Sequence, residues 1–257
     1  MSRSSESGYS SDECEMRSPS NHAIQKDQIR FDRNFEVSDL LTKSANGVIY
    51  NGFCLKTGNP VIIKQIPRDV ISTYVQLGNR LCPSEIAFHF EAAQVSQSVV
   101  RPLDWFERRS SFVLVMEKFE NSIDLFEFSR IYGAIPEEPA KIIFRQLVQC
   151  ARDLDQSGIV HRDLKDENVL INPLTLEVKL IDFGCATEAD QNSTFKIASG
   201  TPEFFPPEVF TKNEYRAEPS TSWALGTLLY VIVIGDIPFE KSENIVSGKR
   251  IKVFINF

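Results

Sequence analysis

One pair of phrases constrains this chain more than any other feature. His161-Arg162-Asp163-Leu164-Lys165-Asp166-Glu167-Asn168-Val169-Leu170-Ile171 is followed, fourteen residues after Asn168, by Asp182-Phe183-Gly184. Phosphoryl transfer asks little covalent chemistry of a protein. It needs carboxylate or amide oxygens to fix a divalent cation on the phosphates, and a carboxylate at the attacking hydroxyl. Asp182 and Asn168 suit the metal, and Asp163 suits the hydroxyl. Lys165, close to Asp163 on the same loop, can offset the negative charge that develops on the transferring group. A solvated charged turn would explain any one of these residues, but not the set at this spacing. His161 reads as a packed core histidine rather than a base.

The rest of the chain reads as a frame for that loop. With 257 residues, 42% of them apolar, it can bury one sizeable core or two small lobes. Residues 1–30 are rich in Ser and acids and poor in large apolar side chains, so they are expected to form a disordered tail. Short strand-like runs follow at Phe35 to Leu41, Gly47 to Cys54 and Val61 to Ile66, then a helical stretch around Pro83 to Ala93. Two more strands are expected near Val99 to Phe106 and Ser111 to Glu117. This predicts an α+β architecture whose small lobe, 31–118, has a five-stranded antiparallel sheet and one helix. A mainly helical large lobe, 119–245, should begin with helices at Asp124 to Ile131 and Pro136 to Gln156.

Charge and cysteine usage narrow the setting. The net charge of −7 opposes binding to nucleic acid or an anionic membrane and suits substrates that carry Lys and Arg. The longest apolar run, Trp223 to Gly235, falls short of the roughly 20 residues that span a bilayer and reads as a core helix. Five cysteines with no CxxC pair imply reduced thiols, no structural disulfide, and a cytoplasmic or nuclear location.

These motifs resemble the eukaryotic protein kinase superfamily, of Ser/Thr type, from about Phe35 to about Phe239. The resemblance implies a bilobal kinase fold with ATP and Mg²⁺ in the cleft and protein substrates bearing Ser or Thr acceptors. Val61-Ile62-Ile63-Lys64 is similar to the family's lysine strand, so Lys64 would contact the α and β phosphates, with Glu85 as its ion-pair partner. Replacing Lys64 by Met is then expected to remove activity and leave the melting temperature near wild type. Gly200-Thr201-Pro202-Glu203 and Pro206-Pro207-Glu208 resemble the end of an activation segment, with Thr201 bonded to Asp163 and Lys165. Lys165 at its position favours Ser/Thr over Tyr substrates.

Within the superfamily, RPLDWFERRSSFVLVMEK, EVKLIDFGCAT, SGTPEFFPPEVF and GDIPFEKSENIVSG are most similar to the Pim group. By that resemblance Met116 is the gatekeeper and Glu117-Lys118-Phe119-Glu120 the hinge. Asp124 lies on the ribose side, and Leu41, Gly47, Ile49, Ile62 and Leu170 line the nucleotide site. Phe119 stands where Pim kinases carry a proline, so a second hydrogen bond to adenine is open to this chain. Asp124, Glu127, Asp166, Glu167 and Asp236 match acids around the Pim peptide groove and imply a preference for basic substrates, acted on by a monomer.

The chain also departs from the family pattern. Thr42-Lys43-Ser44-Ala45-Asn46-Gly47-Val48-Ile49 keeps only the last glycine of the phosphate loop, and Ile62 replaces a smaller residue over adenine. Both changes predict weaker nucleotide affinity. The family continues for about sixty residues of large-lobe helices beyond Phe239, whereas this chain stops at Phe257, and 246–257 reads as an atypical tail that alternates like an orphan strand. Glu208 is expected to lack its arginine partner and the helix from Trp223 part of its cover. Poor solubility or partial unfolding of the large lobe, with little turnover, would follow. The alternative reading is a kinase-like scaffold without turnover.

Overall fold

The computed structural model describes residues 21–44, 46–190, 193–212, 214–239 and 241–248. The small lobe opens with helix α1 (Asn21–Asn34) and strands β1 (Phe35–Ser44), β2 (Gly47–Cys54) and β3 (Pro60–Pro67). A hairpin of β4 (Tyr74–Leu77) and β5 (Arg80–Pro83) then leads into helix α2 (Ser84–Val95), before β6 (Pro102–Glu107) and β7 (Ser111–Glu117). Strands β1-β2-β3-β7-β6 form one five-stranded sheet, antiparallel throughout. Two apolar clusters hold it. Phe31, Phe35 and Phe106 pack beneath one side with Val61 and Ile63, and Trp105, Phe112 and Leu114 join Ile86 of α2 on the other. The alternation of strand side chains between faces is what separates the two clusters.

The small lobe contains more than the expected sheet and single helix. The β4–β5 hairpin turns at Gly78, whose φ of 61° is the left-handed conformation a two-residue turn requires. Residues 21–30, expected to be disordered, are helical instead. Apolar bulk does not account for this. Phe31 is buried against two other rings, and Asp27 and Arg30 find partners on β5 and β6, so a polar face docks the helix. Residues 1–20 lie outside the described part.

The large lobe runs through β8 (Ile123–Asp124), α3 (Leu125–Tyr132), α4 (Glu137–Gln156), β9 (Ile159–Val160), β10 (Val169–Ile171), β11 (Val178–Leu180) and β12 (Thr187–Glu188). It continues with β13 (Thr194–Phe195), α5 (Pro207–Lys212), β14 (Tyr215–Arg216), α6 (Ala217–Ile234) and α7 (Ser242–Ser247). Asp124 caps α3 by accepting from Glu127 N at 2.7 Å, and Gly133 ends that helix at a positive φ. In α4 the buried Ile143, Leu147, Cys150 and Leu154 recur at three- and four-residue spacing and meet Leu228 and Ile232 of α6 in the lobe's core.

Helix α6 has the length and mean hydropathy of a short membrane span, but its Leu228 and Ile232 are fully buried in this core. Its outer side, with Leu229 and Val233, faces Ile135, Ala140 and Phe144 across an apolar groove of about 350 Å³. Glu208 is half-buried rather than buried, so the penalty expected for an uncompensated buried carboxylate does not apply in full. Of the expected atypical tail 246–257, Val246 and Ser247 end helix α7 and Gly248 caps it at a left-handed φ of 65°, while residues 249–257 lie outside the described part.

Candidate active site

Two polar clusters face each other where the lobes meet. The first hangs from the small-lobe sheet. Lys64 on β3 is 7% exposed, and its Nζ lies 2.5 Å from Glu85 Oε1 on α2 and 2.9 Å from Asp182 Oδ1. Burial opposes the Lys64 charge, yet Glu85 and Asp182 together raise its pKa above the usual lysine value. Asp182 is held below the usual carboxylate range because the Lys64 ammonium outweighs the effect of burial. A lysine this enclosed between two acids is one unit with them. Lys64→Met is therefore not neutral for stability, contrary to the expectation from sequence.

The second cluster is the loop between β9 and β10. Thr201 Oγ1 donates to Asp163 Oδ1 at 2.8 Å and accepts from Lys165 Nζ at 2.8 Å. Asn168 Nδ2 donates to Asp163 O at 2.9 Å and to Asp163 Oδ2 at 3.0 Å. Both Asp163 oxygens are thus held from the side, which fixes the carboxylate's orientation. Lys165 is only partly buried, and Asp163 and Glu167 outweigh desolvation to raise its pKa. Gly200 allows this closeness: its φ is 114°, and a Cβ there would collide with the Arg162 carbonyl.

The backbone is strained in both clusters. Arg162 and Asp182 both have positive φ, at 62° and 63°, conformations that a non-glycine residue adopts only when its surroundings over-determine it. Arg162 Nε donates to Cys185 O at 2.7 Å, which ties the loop to the segment after Asp182. Asp182 Oδ1 is taken by Lys64 and Gly184 N, and Asn168 uses only its amide nitrogen. Among the described residues, Asp182 Oδ2 and Asn168 Oδ1 have no protein partner. One carboxylate oxygen and one amide oxygen fit a hard divalent cation that takes its remaining ligands from phosphates and water.

Phe183, fully buried, sits between two imidazoles. His89 of α2 stacks on it at 4.9 Å between centroids and His161 meets it edge-on at 4.8 Å. His89 Nε2 donates to Val100 O at 2.7 Å and His161 Nε2 to Ile181 O at 3.1 Å, which places a proton on each Nε2, and burial, by lowering both pKa values, favours the neutral rings. His89 escaped the sequence reading, although it lies one helical turn beyond Glu85 and therefore on the same face of α2. Burial pushes its pKa down from 6.5 to about 4. Between those values the unfolded chain binds a proton that the folded chain refuses, so stability falls as the pH falls through this window. Wild type should lose about 2 kcal/mol more than His89→Leu between pH 7.5 and pH 5, measured by urea unfolding. Parallel pH profiles would remove His89 as the cause.

The expected nucleotide-lining residues divide into two groups. Ile62 and Leu170 pack against the cluster that holds the buried Met116, the expected gatekeeper, which pairs with Ile62 two residues before Lys64 on β3. Glu117 accepts from Lys179 Nζ at 2.7 Å, which fastens the expected hinge segment to β11. Among the described residues the Phe119 N–H has no partner, whereas its carbonyl accepts from Ser122 Oγ at 2.6 Å. Ile49 is half-buried and pairs with Lys64 in register, but Leu41 is exposed on the sheet's outermost strand and joins none of these clusters. Gly47 is required by the neighbouring strand: a Cβ at its φ of 146° would collide with Gln65 O of β3. Asp124 spends one oxygen on capping α3.

Of the acids assigned to the peptide groove, Glu167 and Asp236 are exposed, while Glu127 pairs with Arg130 at 2.9 Å. Asp166 differs from the expectation. It is 5% exposed and burial pushes its carboxyl up to about 6, so it lies beneath the surface rather than on the rim.

The model of the protein kinase domain family matches residues 35–255. Serine/threonine-protein kinase pim-2 of Danio rerio is 36% identical over 228 residues, 85% of this chain and 73% of that protein. Serine/threonine-protein kinase prk-2 of Caenorhabditis elegans is 33% identical over 219 residues, 85% of this chain and 49% of that protein. The PAS domain-containing serine/threonine-protein kinase of Mus musculus is 40% identical over 146 residues, but this chain covers only 10% of its length.

Proposed function

The chain belongs to the protein kinase family and is an ATP-using protein serine/threonine kinase, and from that premise we propose that it is a Pim-like enzyme phosphorylating Ser or Thr in basic sequence contexts. The observation that carries this reading is the bonding of Asp163, Lys165, Thr201 and Asn168 into one unit beside the Lys64–Glu85–Asp182 cluster. In the proposed reaction the acceptor hydroxyl oxygen forms a bond to the γ-phosphorus as the bond to the β-bridging oxygen breaks. Asp163 takes the hydroxyl proton, and its fixed orientation removes the entropic cost of aligning a base. The Lys165 ammonium faces the charge that grows on the transferring group, and Lys64 holds the phosphates from the small lobe.

Asp182 and Asn168 would hold Mg²⁺, which supplies charge neutralisation on the phosphate oxygens. Adenine would lie between Ile62 and Leu170, with the Phe119 N–H as a donor on the hinge. Arg162 donates to the Cys185 carbonyl and lies over Phe195 at 5.2 Å, which ties the loop that carries Asp163 to the segment after Asp182.

The basic preference rests on exposed acids at the mouth of the cleft, above all Glu167, whose side chain is 57% exposed beside Lys165. Glu167→Lys should lower kcat/KM about tenfold for a peptide with arginine before the acceptor serine, and leave a neutral peptide of the same length nearly unchanged. Steady-state kinetics on the two peptides tests it. An equal fall on both would assign Glu167 to turnover through Lys165 instead of to peptide selection, and a library preference for acidic sites would overturn the reading.

A further inference from the structure

Helix α1 is joined to β6 by Arg30 and Phe31, and to both β6 and β5 by Asp27. Arg30 forms two bonds to Asp104, at 2.7 and 2.5 Å, and one to Trp105 O at 2.7 Å, while Phe31 packs edge-on against Phe106. These contacts seat the helix on β6. Asp27, one turn away, reaches elsewhere. It is 6% exposed, its Oδ2 accepts from Glu107 N at 2.7 Å and from Arg80 Nη2 at 2.5 Å, and its Oδ1 accepts from Arg30 Nη2 at 3.3 Å. The Arg80 guanidinium carbon lies over the Trp105 ring at 3.8 Å, so Arg80 is held both by Asp27 and by the indole.

Arg80 opens β5, and β5 runs straight into α2, whose second residue is Glu85. The path between them is packed. Cys82 and Ile86 are fully buried in one cluster with Trp105, and Ser84 N donates to Thr73 O at 3.0 Å, which closes the base of the β4–β5 hairpin. A displacement of Arg80 is therefore transmitted to the start of α2 rather than absorbed by a loose loop. The pair is buried on the Asp27 side and open on the Arg80 side, so desolvation offsets much of its Coulomb gain and its net stabilisation is small.

We propose that Asp27 is a positioning residue for phosphoryl transfer: by fixing Arg80 on Trp105 it sets the entry of α2 and holds Glu85 against Lys64. The N-terminal helix is then part of the catalytic assembly, although it touches neither nucleotide nor peptide. The inference rests on the proposed role of Lys64 in holding the phosphates of ATP.

The test is a double-mutant cycle in the full chain. Asp27→Asn keeps an acceptor for Glu107 N and removes the charge that holds Arg80, and should lower kcat/KM for a serine peptide about tenfold. In a Glu85→Gln background the same substitution should change nothing further, because the group it acts through is gone. Equal losses in the two backgrounds would make Asp27 merely structural and overturn the proposal. Arg80→Gln approaches the pair from its half-exposed side and should reproduce the result should Asp27→Asn fold poorly.

A second readout needs no turnover. Amide hydrogen exchange in residues 86–90 of α2 should quicken about tenfold in Asp27→Asn, with the α4 amides unchanged. Unchanged α2 exchange overturns the proposal whatever the enzyme's activity. Quickened exchange without phosphoryl transfer by the wild type would uphold the mechanical link and count against the functional reading.

Discussion

Asp163→Asn lowers kcat for phosphoryl transfer by about 10²–10⁴-fold and leaves the melting transition close to that of the wild type. The substitution preserves shape and can still accept from the Thr201 hydroxyl, one of the two groups that orient the side chain. It cannot take the acceptor's proton. It also sets an amide near the Asn168 amide nitrogen that now donates to Asp163 Oδ2, so the ring of bonds rearranges locally without unfolding the loop. Quench-flow or steady-state assays with a serine peptide, together with a thermal melt, check both halves. Turnover within tenfold of the wild type would take Asp163 out of the proton-transfer role.

Lys64→Met has the other large effect, and it strikes twice. Loss of the ammonium that holds the phosphates should lower kcat/KM by about 10²–10³-fold. The fold suffers too, because Glu85 and Asp182 are left facing one another without the cation that now lies 2.5 and 2.9 Å from them. Breaking an enclosed pair in this way costs about 3–5 kcal/mol. Burial already pushes the Glu85 carboxyl upward against the opposing pull of Lys64, so in the variant it takes up a proton more readily folded than unfolded. The Glu85 contribution to the variant's stability then rises as the pH falls, so the deficit relative to the wild type should be smaller at pH 5.5 than at pH 8. Urea unfolding at the two pH values measures it. A deficit independent of pH would place the cost in lost packing instead.

The sheet strands and the long helices were legible because period and punctuation agree. Strands β2 and β7 fall at the expected positions, and α4 shows its buried stripe in the spacing of Ile143, Leu147 and Leu154. The catalytic loop was legible for another reason: Asp163, Lys165, Asn168 and Asp182 need a fixed order along the chain to converge in space. What stayed hidden depends on partners distant in sequence. Nothing near Asp27 announces Arg80 or the Glu107 amide, so a segment with few apolar residues read as disorder although its polar face is fully engaged. Likewise, Asp166 looked like one more surface acid, since burial is set by the packing of β8, α3 and the catalytic loop rather than by its neighbours in the chain. The β4–β5 hairpin did carry a local signal, Gly78-Asn79 between short runs of alternating residues, which was passed over.

The central claim, that Asp163 and its bonded neighbours form a working phosphoryl-transfer site for Ser and Thr, is tested most directly by one comparison. The purified chain and its Asp163→Asn variant are incubated with labelled ATP, with and without Mg²⁺, and a serine peptide carrying arginine before the acceptor. The account predicts phosphoserine formation that requires Mg²⁺ and falls by at least about 100-fold in the variant, whatever the absolute rate. No transfer by a wild-type protein that melts cooperatively, or equal transfer by the two proteins, would contradict it.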